Sequence, residues 1–287
     1  MTRQTWILHP ADRLNVVRGL VAPLILFSPF WYGFPEVYAP VAIALIFALA
    51  GDTNYLLHLH IHRPFTGKAW LNLVLDLSMG LTTGMTASNW RIQHRYGHHR
   101  GIDAPYRSHR AWEVAEYSAL GALSYSIRSI WPTFWQPLVE SYEKGVLANV
   151  KTPINYRWAF VEQGAFIAFV LALFIWQPAM VLLFLIPWYA VIYFISRYVD
   201  YLNHYGCAEN ADLYSCANNS LNRTFNRFCQ NFGYHTAHHF QPTAHWTQLP
   251  GIHRRIAERI PPERLKTFSW SCLLLPYHCI RGWRGRM

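Results

Sequence analysis

No Lys or Arg occurs between Arg18 and Arg63, nor between Arg157 and Arg197. Each interval holds two long apolar runs: Val16 to Phe34 and Val37 to Leu57 in the first, Trp158 to Trp176 and Ala179 to Ile195 in the second. As helices, runs of roughly 20 residues cross the ~30 Å of hydrocarbon in a bilayer. In that medium the backbone must satisfy its own polar groups. The pattern therefore predicts an all-α integral membrane protein with four transmembrane helices in two hairpins. The tips fall at the stretch Gly33 to Ala39, which holds no Lys or Arg, and at Gln177 and Pro178. A fifth apolar stretch, Leu71 to Ala87, holds Asn72 and Asp76 and is read as interfacial or re-entrant.

The composition agrees. The chain is 52% hydrophobic but only 14% charged, against about a quarter charged in a soluble domain. Its 13 Trp suit aromatic belts at the membrane interface. A single membrane-embedded domain over residues 1–287 is expected. All basic residues lie in the N-terminus, in 58–157 and in 196–287. By the positive-inside rule these segments and both termini face the cytoplasm, with the cell inner membrane the expected location. The net charge of +10 is then a signal of topology; no nucleic-acid recognition motif accompanies it. The first apolar run is long and lacks a small-residue cleavage site, so no removable signal peptide is expected. Cys207, Cys216, Cys229, Cys272 and Cys279 are odd in number and form no C-x-x-C pair, as reduced cytoplasmic thiols would be. Ala111 to Val150, with Trp112, Trp131, Phe134 and Trp135, reads as amphipathic helices on the membrane surface.

Nine histidines stand beside these runs. His58 and His62 follow the second run, and His204 follows the fourth. His94, His98 and His99, and then His235, His238 and His239, lie in the two basic segments, so all nine are predicted on one membrane side. Imidazole is the commonest metal ligand, and spacings of three and four residues place ligands on one helix face. In an α-helix His98 shares a face with His94, and His99 is turned roughly 100° further round. Nine imidazoles exceed the needs of one ion and suit two. Such ligands favour Zn, Cu, Fe or Ni, and no zinc-protease HExxH pattern is present. Two redox metals with neutral ligands match the count best. Asp200 shares a helix face with His204 and is a candidate ligand or ligand-orienting group. His60 points to another face of its helix. His9, His109, His253 and His278 read as ordinary surface or core residues, and His245 is ambiguous. Asp52, Asn54 and Asp76 are polar groups in or near apolar segments, a placement that tends to mark function.

The three boxes HxxxH, HxxxHH and HxxHH, in this order and around two hairpins, resemble those of the membrane fatty-acid desaturase and alkane hydroxylase superfamily. The likeness runs from about residue 14 to about residue 265. DYLNHYG resembles the segment that supplies an extra histidine ligand after the last hairpin; relatives often carry Asn where this chain has Asp200. NFGYHTAHHFQPTAHWTQLP resembles the third box with its trailing sequence. HHRGIDAP resembles the second box followed by an acidic residue, here Asp103, a candidate partner for a ligand imidazole.

The resemblance implies a non-haem di-iron centre held by His58, His62, His94, His98, His99, His204, His235, His238 and His239. It implies a cytoplasmic helical cap holding the metals, O2 as co-substrate, and oxidation of an unactivated C–H bond in a fatty-acyl or lipid chain. The histidines act as ligands; no side chain can attack an alkane carbon. Desaturation is the expected reaction. Hydroxylation of an alkane or fatty acid (a monooxygenase reaction) and oxidative decarboxylation to a terminal alkene share the same boxes. With no cysteine cluster and no dinucleotide-binding motif, electrons come from a separate ferredoxin- or rubredoxin-like donor with its reductase. The basic face could steer such a donor if it is acidic. A metal transporter is the competing class, but transporters place ionisable groups near the middle of their spans.

Overall fold

A computed structural model describes residues 6–34, 37–99, 119–149, 153–207 and 211–266. Asp103, His109, Trp112, Cys272, His278 and Cys279 lie outside them. In order, the α-helices are α1 (Arg13–Phe27), α2 (Pro29–Tyr32), α3 (Ala39–Ala50), α4 (Thr53–His62), α5 (Ala69–Thr83), α6 (Ala87–Trp90), α7 (Ala119–Ser141), α8 (Tyr156–Trp176), α9 (Pro178–Met180), α10 (Ile186–His204), α11 (Arg223–Phe228), α12 (His235–Phe240) and α13 (Leu249–Ile256). π-Helices occupy Arg91–His98, Tyr142–Leu147 and Val181–Leu185. Two short strands, β1 (Asn219–Ser220) and β2 (Leu265–Lys266), pair in parallel. The chain divides into two compact units, one of Met1–Tyr106 and Pro132–Tyr193, the other of Arg107–Trp131 and Phe194–Met287.

Four helical stretches are long and apolar enough to cross a membrane: Pro10–Tyr32, Ala39–His62, Tyr156–Trp176 and Pro178–His204. They overlap the four runs read from the sequence, and each extends beyond its run at one end or both, while the first ends two residues short of its run and the second begins two residues into its run. The second continues to His62 as 24 residues, about 36 Å at 1.5 Å per residue. Its histidines therefore occupy the last turns of the same helix, and His204 ends the fourth in the same way. Helical backbone hydrogen bonding continues past the point where apolar composition stops, because it does not depend on side-chain polarity. Ile175 and Leu183 are 83% and 80% exposed, which suits a hydrocarbon surround and not water. α5 has 15 residues, about 22 Å, too short to cross.

In the first unit α1 packs against α3, α4 and α5. Gly19 allows the close approach to α5, since a Cβ there would stand 3.0 Å from Leu75 Cδ2. Ser78 Oγ donates to the Gly19 carbonyl at 2.5 Å. Asp52, charged within an apolar run, is paired with Arg18. The main core gathers Leu26, Phe27, Phe30, Ile46, Leu185 and Trp188, with Phe169 edge-on to Phe27.

The C-terminus of α5 is closed from α10. A helix leaves its last carbonyls without intrahelical donors, and in an apolar medium each would cost several kcal/mol. Trp188 Nε1 donates to Thr82 O at 2.7 Å, Tyr189 OH to Leu81 O at 2.8 Å and Tyr193 OH to Gly84 O at 2.6 Å. Gly84 ends the helix at φ +74°, and a Cβ there would stand 2.7 Å from the Tyr189 ring.

The outer face of α7 carries exposed Leu120, Ile127, Trp131 and Trp135, whereas Ala122, Ser126, Ser129 and Thr133 are buried. Apolar outside and small or polar inside is the pattern of a helix lying against lipid. Phe134, grouped with the tryptophans by sequence, is only half-exposed. The second unit has two apolar clusters, one of Tyr198, Tyr201, Leu202 and Phe225, the other of Ala237, Leu249, Ile252, Ile256 and Ile260. Its cysteines Cys207, Cys216 and Cys229 are free thiols.

Gly84→Ala is expected to destabilise the protein by more than about 1 kcal/mol, from left-handed strain and ring overlap together. Thermal unfolding in detergent measures it.

Candidate metal centre

In the first unit α4 and the π-helix Arg91–His98 each contribute histidines. His58 and His62 are one α-helical turn apart on α4 and are buried, as is His94. The ligand nitrogens of these three lie within 4.8 Å of one another. His58 Nε2 is 2.8 Å from His94 Nε2, and His99 Nε2 is 3.0 Å from the same atom.

The π-helix changes the geometry expected of the second box. A π-helix bonds each N–H to the carbonyl five residues earlier, and His99 N donates to His94 O at 3.0 Å. His99 is thereby brought back onto the face of His94, not turned away as α-helical periodicity requires. The His98 ring stacks on that of His94 with centroids 5.0 Å apart.

In the second unit His204 ends α10, while α12 carries His235, His238 and His239. The ligand nitrogens of His204, His235 and His239 lie within 4.8 Å of one another. His235 Nε2 is 3.2 Å from His204 Nε2 and 3.3 Å from His239 Nε2. The His238 ring lies 5.4 Å from that of His235. His204 Nδ1 is 3.0 Å from the Cys216 carbonyl. A carbonyl only accepts, so Nδ1 carries the proton and Nε2 presents a lone pair, the tautomer a metal ligand needs.

The backbone that delivers α12 is held by amides. Asn219 accepts from Thr236 N at 3.0 Å and donates to Thr236 Oγ1 at 2.7 Å, gripping the first turn of the helix. Asn226 accepts from Gly233 N at 2.9 Å and donates to Ser220 O at 2.7 Å. Gly233 is packed so closely that a Cβ would overlap the Ser220 carbonyl. Gln230 and Asn231, both at positive φ, reverse the chain just before it.

These sets fit a metal. Two imidazole nitrogens about 2.1 Å from one ion and at a right angle to each other are about 3.0 Å apart. The observed Nε2 separations, 2.8 to 3.3 Å, bracket that value. Burial excludes a cluster of cationic imidazoliums, which would be costly without counter-charge. Among the described residues no cysteine joins either converging group; burial pushes the Cys207 thiol up to about 11 and the Cys216 thiol up to about 12.

The other candidates have different partners. Asp200 is absent from the converging nitrogens' group; its Oδ2 accepts from Tyr125 OH at 2.5 Å and lies 3.7 Å from Arg197. Burial, then the Asp200 charge, raises the Tyr125 phenol well above its usual range, so it stays a donor. His60 is fully buried, and its Nδ1 accepts from Phe65 N at 3.2 Å. His9 caps the Pro10–Asp12 turn, accepting from Ala11 N. His245 caps Trp246–Gln248 through Thr247. His253 is buried beside the Tyr234 ring, with its basicity lowered by that burial.

Sequence reasoning did not find the residues that hold the second box. Glu162 Oε2 accepts from Ser88 N at 3.2 Å, and Gln163 Oε1 accepts from Asn89 Nδ2 at 2.8 Å. Their one signal was polarity inside an otherwise apolar run.

The Fatty acid desaturase family profile matches residues 31–271, most of the chain. The chain belongs to this family, and so to a class of membrane oxidoreductases acting on acyl chains. No curated protein and no solved structure matches it significantly.

Tyr125→Phe leaves the part-buried Asp200 carboxylate short of one donor and is expected to cost roughly 1 kcal/mol, read by thermal unfolding. Gly233→Ala is expected to displace the start of α12 and lower the metal content of the purified protein, measured by elemental analysis.

Proposed function

We propose that His58, His62, His94, His98, His99, His204, His235, His238 and His239 hold two iron ions, and that the chain is an O2-dependent desaturase of a fatty-acyl or lipid chain. The convergence of imidazole Nε2 atoms at metal-ligand separations is the observation that carries this reading. The iron pair supplies the reduction of O2 and the oxidising power that no side chain has. In the balanced reaction, two hydrogens leave adjacent carbons, O2 takes these with two electrons and two protons from outside, and two waters form.

The protein's own part is to bind and to exclude. Nδ1 of His204, tied to the Cys216 carbonyl, keeps its Nε2 turned to the metal. Burial of the ligands keeps bulk water from the oxidised site. An acyl chain taken out of water gains roughly 0.8 kcal/mol per CH2, enough to seat a substrate with little polar recognition. Asp200 and Asp103 act as orienting groups or ligands. The two hairpins, with termini and histidines on the cytoplasmic side of the inner membrane, follow from the distribution of basic residues. The chain works as one catalytic module, with electrons delivered by a ferredoxin- or rubredoxin-like protein and its reductase.

Hydroxylation of an apolar substrate is the second reading, favoured by the DYLNHYG segment. Expression with electron donors followed by mass spectrometry of lipids and hydrocarbons separates the two. Loss of two hydrogens supports desaturation, gain of one oxygen supports hydroxylation, and no oxidised product refutes both. His98→Ala and His238→Ala are each expected to abolish activity and reduce bound iron from two per chain while membrane insertion persists. Full activity in either would remove the iron assignment.

A further inference from the structure

Asp76 is a carboxylate at 8% exposure on an otherwise uncharged helix. An ionisable group in that setting is expensive unless paired. Its partners come from the two elements that carry the first unit's histidines. Arg91 opens the π-helix, three residues before His94, and its Nη2 donates to both Asp76 oxygens, at 2.8 and 2.7 Å. His60 lies on α4, two residues from both His58 and His62, and its Nε2 faces Asp76 Oδ1 at 3.5 Å. The His60 ring has a defined orientation. Nδ1 accepts from Phe65 N, so Nε2 carries the proton; it faces the carboxylate across 3.5 Å without completing a hydrogen bond.

A second tie spans the same two elements, where Arg95 Nη1 donates to Ile61 O at 3.4 Å. The π-helix is thus fastened to α4 at Ile61 and to α5 at Asp76, where His60 of α4 also packs. The 2.8 Å approach of His58 Nε2 to His94 Nε2 depends on both helices keeping this register.

We infer that Asp76 is a positioning residue, a buried carboxylate that grips Arg91 and backs the His60 ring, and so sets the spacing of the ligand atoms of His58, His62, His94 and His99. It touches none of these ligands and acts through Arg91 and His60. The inference rests on the proposed reading of the histidines as metal ligands.

The test is anaerobic titration of Co(II) into metal-stripped, full-length protein in detergent, followed by the cobalt absorption bands. Wild type is expected to take two ions per chain. Asp76→Asn is expected to weaken one of the two by roughly tenfold or more, the scale seen when groups orienting metal ligands are lost, and to leave the other unchanged. Arg91→Lys, which keeps the charge but loses the planar guanidinium, is expected to shift the same ion in the same direction. Ser78→Ala removes a different tether of the same helix, to Gly19, and is expected to lower thermal stability without changing either affinity. Unchanged affinities in Asp76→Asn would overturn the inference. So would equal weakening of both ions, which marks general loosening. If Asp76→Asn does not fold, Arg91→Lys decides by the same criteria. A wild-type protein that takes up no Co(II) refutes the metal reading itself, and the inference with it.

Discussion

The hydrogen bonds from Trp188, Tyr189 and Tyr193 to the last carbonyls of α5 are the contacts on which the rest of the first unit depends. α5 is too short to cross a bilayer, so its end must be closed by protein in a place where water is scarce. Once closed, it becomes a fixed beam. Its Ser78 ties α1, its Asp76 ties the π-helix through Arg91 and faces His60 of α4, and the turn after Gly84 starts α6. Thr86 then caps α6, accepting from Asn89 N. The polar side chains of this apolar chain are concentrated where the histidine-bearing backbone has to be held.

The site follows from that economy. Imidazoles brought together in water would remain solvated and mobile. Here six of the nine are buried, and the Nε2 atoms of His58 and His94, and of His204 and His235, approach at separations a shared ion would impose. The π-helix is the local device in the first unit, moving His99 onto the face of His94. In the second unit the work falls to Asn219 and Asn226, whose amides place α12. One box is set by backbone winding, the other by side-chain amides gripping a loop.

Much of this was legible in sequence. The four apolar runs exposed the long helices because composition alone decides partition into hydrocarbon. The histidine spacing exposed the ligand candidates because helical periodicity is local. Asp76, Glu162 and Gln163 were visible only as polar residues in apolar stretches. Their partners Arg91, Ser88 and Asn89 are separated from them by 15 to 74 residues, and no local pattern links such positions. His60, which its spacing marks as either a spectator or a group orienting its neighbours, is fully buried and faces Asp76. Asp200 stands one turn before His204, and its partners include Tyr125 and Arg197.

Membrane character, helix number and the identity of the histidine boxes were written in the order of residues, because hydropathy and helical spacing act over a few neighbouring positions. The winding of the second box, the closure of α5 and the clamp at Asp76 were not. Each depends on atoms distant in sequence meeting at hydrogen-bonding distance, and only the packed helices bring them there.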